Sequence, residues 1–250
     1  MKKYFLQYSV DAKKLNARLK FNRKFQNNKF SDWIKKRLGK ISKNDNILDL
    51  GCGNGAQSFY FAKKNTEGKL YSIDLSKESI SYLKNKILRK NFFPLCMDMN
   101  NISIKKTNFF DIINSCYSFY YARNAKKLFS KCYSLLRENG KLIVTTPMAP
   151  HFIVDLAKKV HPINKKVTDS LLIYKKIIKE MDYKKMKVRI FYFNSYMSVK
   201  NYYDLFKFYE NSTFYNKKFK LILLKKMKNM FKNKKVYSFK KKSCMIVGIK

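Results

Sequence analysis

Asn46-Ile47-Leu48-Asp49-Leu50-Gly51-Cys52-Gly53-Asn54-Gly55-Ala56 compresses a strand, a turn and a helix start into a single run. Ile47, Leu48 and Leu50 are the short apolar series of a strand covered on both faces. Gly51, Gly53 and Gly55 then supply a turn without Cβ atoms, where the backbone can bend sharply and lie against a ligand. A dinucleotide fold would show G-x-G-x-x-G, which seats a pyrophosphate on the helix N-terminus. The spacing here is G-x-G-x-G with Asp49 in front of it, so a different ligand is expected.

A second signal lies downstream. Leu70 to Leu75 reads as the next parallel strand and reaches Asp74, 21 residues past Gly53. In Rossmann-like units an acid about 20 residues on accepts hydrogen bonds from ribose hydroxyls. Asp74 also suits the N-terminus of a helix, with Ser76 as its N-cap. Strand, acid and glycine spacing together resemble the first motif of class I S-adenosylmethionine-dependent methyltransferases, a strand ending in Leu-Asp-x-Gly-x-Gly-x-Gly. The resemblance implies that Asp49, Gly51, Cys52, Gly53 and Gly55 surround the methionyl part of S-adenosyl-L-methionine. It further implies that Asp74 holds the ribose, that Leu75 after it also binds the cofactor, and that Asp98 and Met99 meet the adenine amino group and ring.

The expected fold class is α/β: a doubly wound, Rossmann-like, mostly parallel sheet, with the last strand antiparallel by resemblance. One domain is expected over 1–250, with a helical N-terminal cap (1–44), a cofactor-binding core (45–147), and helical lid insertions with closing strands (148–250). The cap reads as helix from Asp11 to Leu38, broken at Asn27-Asn28 and restarted at Ser31. In the core, helix Ala56 to Lys64 is expected to bury Phe59 and Tyr60. Ile80, Leu83, Ile87 and Leu88 mark a second amphipathic helix, followed by strands Phe92 to Met97 and Phe109 to Cys116. Leu128, Phe129, Cys132, Leu135 and Leu136 mark a third helix, stopped at Glu138-Asn139-Gly140 before strand Lys141 to Thr146; family members usually carry Pro-Gly-Gly at that stop. Beyond Pro147 the pattern predicts helices over His151 to Val160 and from Asp169, then a strand over Met186 to Phe193. Ser198 is expected to cap a helix bearing Val199, Tyr202, Tyr203 and Phe206. A lysine-rich helix (Phe219 to Phe231) and a last strand (Cys244 to Ile249) follow.

Doubly wound sheets bind ligands where the strand order reverses. The fourth strand therefore brings Asn114 to the cofactor and Tyr117, Tyr120 and Tyr121 toward the acceptor. Their rings could attract a sulfonium by about 0.5–2 kcal/mol or orient a nucleophile, with core packing as the alternative. Related methyltransferases carry a histidine near Tyr121; here His151 is the other candidate for a substrate-facing group. His151 and Asp155 could share a helix face, but two histidines and no cysteine beside them argue against a metal site.

The chain has 250 residues and a formal net charge of +40. Such a potential attracts nucleic acid, anionic membrane or a phosphorylated substrate. It also fits a compositional bias, since lysines are spread throughout and the chain is rich in Asn, Ile, Phe and Tyr. A small-molecule acceptor is expected first. RNA methylation, or a non-catalytic cofactor-binding or membrane-surface protein with the helix Phe219 to Phe231 on anionic lipid, is the alternative, and nucleic-acid or membrane association is expected to be weak and non-specific. No apolar run reaches 18 residues, and Lys2 to Tyr8 lacks a signal-peptide core, so a cytoplasmic location is expected. Five cysteines without a C-x-x-C pair read as buried, reduced thiols.

Overall fold

A computed structural model describes residues 11–149, 151–159, 171–212 and 214–250. Among them, β1 (Ile47–Leu50), β2 (Leu70–Asp74), β3 (Phe92–Cys96), β4 (Phe110–Cys116), β5 (Leu136–Pro147), β6 (Lys187–Val199) and β7 (Tyr237–Ile249) form a seven-stranded sheet. The order is β3-β2-β1-β4-β5-β7-β6. The sheet is mostly parallel with the last strands antiparallel, as expected. Ile47 stands opposite Leu70 on one side and Ile112 on the other, so the order reverses at β1 and β4. β1 can occupy the middle because Ile47, Leu48 and Leu50 are all 0 % exposed.

Among the described residues the α-helices are α1 (Ala12–Phe25), α2 (Phe30–Leu38), α3 (Ala56–Lys64), α4 (Lys77–Lys86), α5 (Ala125–Leu135), α6 (Phe152–Lys158), α7 (Ile173–Tyr183), α8 (Tyr202–Glu210) and α9 (Lys220–Phe231). By contacts the chain divides into two compact units. A helical unit takes its described residues from Met1–Trp33, Pro147–Leu171 and Phe193–Ser243. A cofactor unit comprises Ile34–Thr146, Leu172–Tyr192 and Cys244–Lys250. The stretches expected as cap and lid thus contribute to one body with its own core, which includes Phe21, Leu156, Met197, Phe206, Leu223 and Met227. The signal-peptide reading of Lys2 to Tyr8, and the helix limits at Val160 and Asp169, lie outside the described residues.

Within the cofactor unit, several expectations shift for local reasons. α3 buries Ser58 and Phe61, while Phe59 and Tyr60 are only half-buried. α4 starts at the Ser76 cap as expected, the Ser79 N–H donating to Ser76 Oγ at 3.2 Å. It closes at Lys86, since Ile87 leaves helical dihedrals, and Leu88 is consequently 87 % exposed instead of buried. α5 ends at Leu135, and β5 begins at Leu136, five residues before the expected Lys141. Asn139 takes a left-handed φ of 63°, its N–H donates to Lys250 O, and the Lys250 N–H donates to Gly140 O, which draws the Glu-Asn-Gly stop into pairing. α7 sits close to β7 because Gly248 has no Cβ: one there would stand 2.7 Å from Met181 Sδ.

In the helical unit the break between α1 and α2 falls at Asn27-Asn28 as read, held by Asn27 Oδ1, which accepts from Ser195 Oγ and Tyr196 N–H. Ser198 and Val199 belong to β6, and the cap of α8 is Asn201, whose side chain accepts the Asp204 N–H at 2.8 Å. Tyr203 is 55 % exposed. Of the cysteines, all free thiols, Cys52, Cys132 and Cys244 are buried, but Cys96 is exposed and Cys116 half-buried, because both end strands where the sheet opens.

Candidate cofactor site

Asp49 lies beneath the glycine loop, not on its surface. It is 1 % exposed, and its carboxylate accepts from Ser58 Oγ at 2.7 Å and Asn114 Nδ2 at 2.8 Å. Ser58 also shares a 2.9 Å hydrogen bond with Ser72, so β1, β2, β4 and α3 meet at one buried polar node. Burial pushes the Asp49 carboxyl up to about 6, against the two bonds that favour its charged form. Asn114, the β4 residue in register with Asp49, is itself 1 % exposed. Both expected cofactor residues therefore position the loop from below.

The loop above them is tied to Asp74. Gly53 donates its N–H to Asp74 Oδ2 at 2.8 Å, and Ser76 donates to Asp74 Oδ1 at 2.8 Å. The two readings of Asp74 are thus compatible, because a carboxylate has about four acceptor positions and the N–H groups of Gly53, Ser76 and Leu75 do not fill them. Burial raises its pKa, although the N–H groups of Ser76, Gly53 and Leu75 oppose the rise. Gly51, Gly53 and Gly55 all have left-handed φ, at 65°, 52° and 82°. Gly51 is required twice over, since a Cβ there would stand 2.4 Å from Ser118 Cβ and 3.1 Å from Met99 Cε. That contact brings Met99 and the segment after β4 against the loop.

Two acids, Asp49 and Asp74, border the loop. The Cys52 thiol is pushed well up, first by burial and then by the charges of Asp49 and Asp74. Such a place suits a cationic group and disfavours a pyrophosphate. Leu75, 40 % exposed after β2, and half-buried Met99 offer apolar surface for a flat ring. Asp98 accepts from the Asn100 backbone at 2.8 Å, from Asn100 Nδ2 at 2.7 Å and from Arg123 Nη2 at 2.7 Å. Burial would raise its carboxyl, but the bonds from Asn100 and the Arg123 guanidinium outweigh that and hold it below the ordinary range.

Beyond β4, Tyr117 adopts φ 56°, rare for a bulky side chain, with its N–H donating to Thr145 O at 2.8 Å. Strain of this kind, at the reversal of strand order, is common at functional sites. Ser118 Oγ donates to Leu50 O at 2.6 Å and pairs with Ser115 Oγ at 2.6 Å, pinning the segment to the end of β1. Phe119 is 0 % exposed, while Tyr120 and Tyr121 are half-buried, their ring centroids 4.6 Å apart. His151 belongs to the helical unit. Its Nδ1 is buried without a partner, and burial, then the Lys241 charge, lower its pKa to about 4, so it is a weak base at neutral pH. Sequence reasoning missed Ser58, Ser72, Ser118 and Arg123. The serines carried a faint signal, polar residues interrupting apolar stretches beside Phe61 and Ile73; Arg123 carried none.

A family model described as a methyltransferase domain matches residues 41–210. The chain belongs to that methyltransferase-domain family. Within it the chain is of the class I, S-adenosylmethionine-dependent kind. A malonyl-[acyl-carrier protein] O-methyltransferase of Priestia megaterium is 28% identical over 100 residues, 40% of this chain and 36% of that protein. The phosphoethanolamine N-methyltransferase of Plasmodium falciparum is 30% identical over 117 residues, 44% of this chain and 43% of that protein. The methyltransferase-domain chain thus spans less than half the length of these curated relatives. The YcgJ protein of Bacillus subtilis superimposes with a TM-score of 0.62 at 15% identity, over 88% of this chain and 97% of that one, which shows the shared fold.

Proposed function

We propose that this methyltransferase-domain protein transfers a methyl group from S-adenosylmethionine to a small-molecule acceptor. The observation that carries the reading is the bond from Gly53 N–H to Asp74, which joins the glycine loop and the acid beyond β2 into one surface. The residues present fit the cofactor: Asp74 keeps acceptor capacity for a ribose hydroxyl, Leu75 and Met99 offer apolar surface for adenine, and Asp49 and Asp74 favour cationic groups. When bound, S-adenosylmethionine supplies an electrophilic methyl on a sulfonium, open to in-line displacement.

The chain's own contribution is to hold the reactants and exclude water, which in well-oriented cases lowers barriers by about 7–11 kcal/mol. Tyr117, Tyr120 and Tyr121 follow the strand that reaches the loop, and are the groups placed to orient an acceptor. Small acceptors are supported by the names of the two relatives, one acting on phosphoethanolamine and the other on a carrier-borne malonyl group. Acceptance of RNA rests on charge alone. Calorimetry should show binding of S-adenosylhomocysteine, with Asp74→Ala weakening it by about 1.5–3 kcal/mol, or ten- to a hundredfold. Preference for NADH over S-adenosylhomocysteine would overturn the assignment.

A further inference from the structure

We propose that α9 and its flanks dock the protein on an anionic phospholipid surface. Residues 211–250, which begin where the family match ends, contain thirteen lysines, no arginine and no acidic residue. α9 turns Leu223 and Met227 into the core of the helical unit, at 1 % and 0 % exposure, while Leu221 is 80 % and Ile222 56 % exposed. Helical spacing puts Lys225, Lys228, Asn229 and Lys232 on the same outward face as these two aliphatic side chains, and all four are exposed. Lys217, Lys218 and Lys220 surround its start; Lys234, Lys235 and Val236, the last 45 % exposed, follow its end. Aliphatic side chains inside a ring of lysines form an interfacial face, on which hydrocarbon accepts the aliphatics and headgroup phosphates meet the amines.

The helix end adds a second reason. Lysines at the N-terminus of α9, with no acid in its first turn, oppose the helix dipole, and a negative surface relieves that opposition. Nucleic acid would meet the charge but would leave Leu221 and Ile222 without use, and the segment lacks the arginines that read phosphates bidentately. A second copy would bring like charges together. No helix among the described residues is long and apolar enough to cross a membrane, so attachment would be interfacial. The proposal does not rest on the methyl-transfer reading.

Co-sedimentation of the full chain with phosphatidylcholine vesicles, with and without about 30 mol % phosphatidylserine, tests this at about 150 mM salt. At least about tenfold tighter binding to the anionic vesicles is expected, and L221S/I222S should lose about tenfold of it while binding a short RNA within about twofold of the wild type. Both changes are at exposed positions, and an unchanged melting curve confirms that the variant is folded. Equal binding to both vesicle types overturns the proposal. So does a variant that binds anionic vesicles like the wild type, which would leave only diffuse charge, and so does RNA binding that falls in parallel.

Discussion

Around the glycine loop the acids Asp49, Asp74 and Asp98 each have named partners, whereas in residues 211–250 thirteen lysines share not one acid within their segment. In the first region charge is placed: each carboxylate is oriented by two or three donors from different elements, and moving one atom disturbs several strands. In the second it is accumulated: most of its lysines are exposed and interchangeable, the exception being Lys250, whose amine donates to Asn108, Tyr133 O and Leu136 O. The contrast teaches that a net charge of +40 says little about a site. The candidate site is marked instead by acids held in fixed geometry.

Four substitutions, with a control at Gly39, test that contrast, from the largest expected effect to the smallest. Gly51→Ala combines a left-handed φ of 65° with a Cβ driven to 2.4 Å from Ser118 Cβ. A stability loss of about 2–5 kcal/mol in denaturant unfolding is expected. At Gly39, φ 75° with nothing near the added Cβ, alanine should lose only about 1–2 kcal/mol, the backbone part alone. Equal losses at the two positions would mean that Ser118 gives way, and that the loop is less tightly determined than its geometry implies.

Asp49→Asn isolates the buried acid. Its folded value of about 6 lies above the ordinary 3.8, so the native state binds this proton more tightly than the unfolded chain does. The associated stability is full below the ordinary value and is lost as pH rises through about 6. Wild-type stability relative to Asp49→Asn should therefore fall by about 1–3 kcal/mol between about pH 4 and 7. A pH-independent difference would place the charge elsewhere. Asparagine can keep the node, since its carbonyl accepts from Asn114 and its amide donates to Ser58.

Arg123→Ala removes the guanidinium that pairs with Asp98, but Arg123 is 62 % exposed, and an exposed pair contributes about 1 kcal/mol at most. Melting should shift slightly, and Asp98 should titrate at a higher pH by NMR. Lys228→Glu on α9 should change stability by less than about 0.5 kcal/mol in either direction. A large effect there would make the lysines of 211–250 placed charges after all.

Much of the fold was legible from the linear chain. The limits of α3, the Ser76 cap, the break at Asn27-Asn28 and the strands β1 to β4 depend on neighbours within a few residues, which periodicity and capping report. Leu88 and the start of β5 were misread for a common reason. The apolar pattern ran on past points where the backbone left the helix, at Ile87 by its dihedrals and at Leu136 by pairing with β4 near Phe110.

For the site, the sequence by itself determined the glycine spacing, Asp49 before it and Asp74 a fixed distance beyond, because strand, turn and helix of one βα unit are contiguous. Only the tertiary structure decided what those residues do. It buried Asp49 and Asn114 as a node with Ser58 and Ser72, bound Asp74 to Gly53, seated Ser118 against Gly51, and set Arg123 on Asp98. It also grouped His151 with the helical unit and Tyr117 to Tyr121 with the cofactor unit. Apart from those of Ser58, such pairings join residues 21 to 68 positions apart, as in Gly53–Asp74 and Leu50–Ser118. Their partners are selected by strand order and by the need to satisfy every buried polar group, which no local window contains.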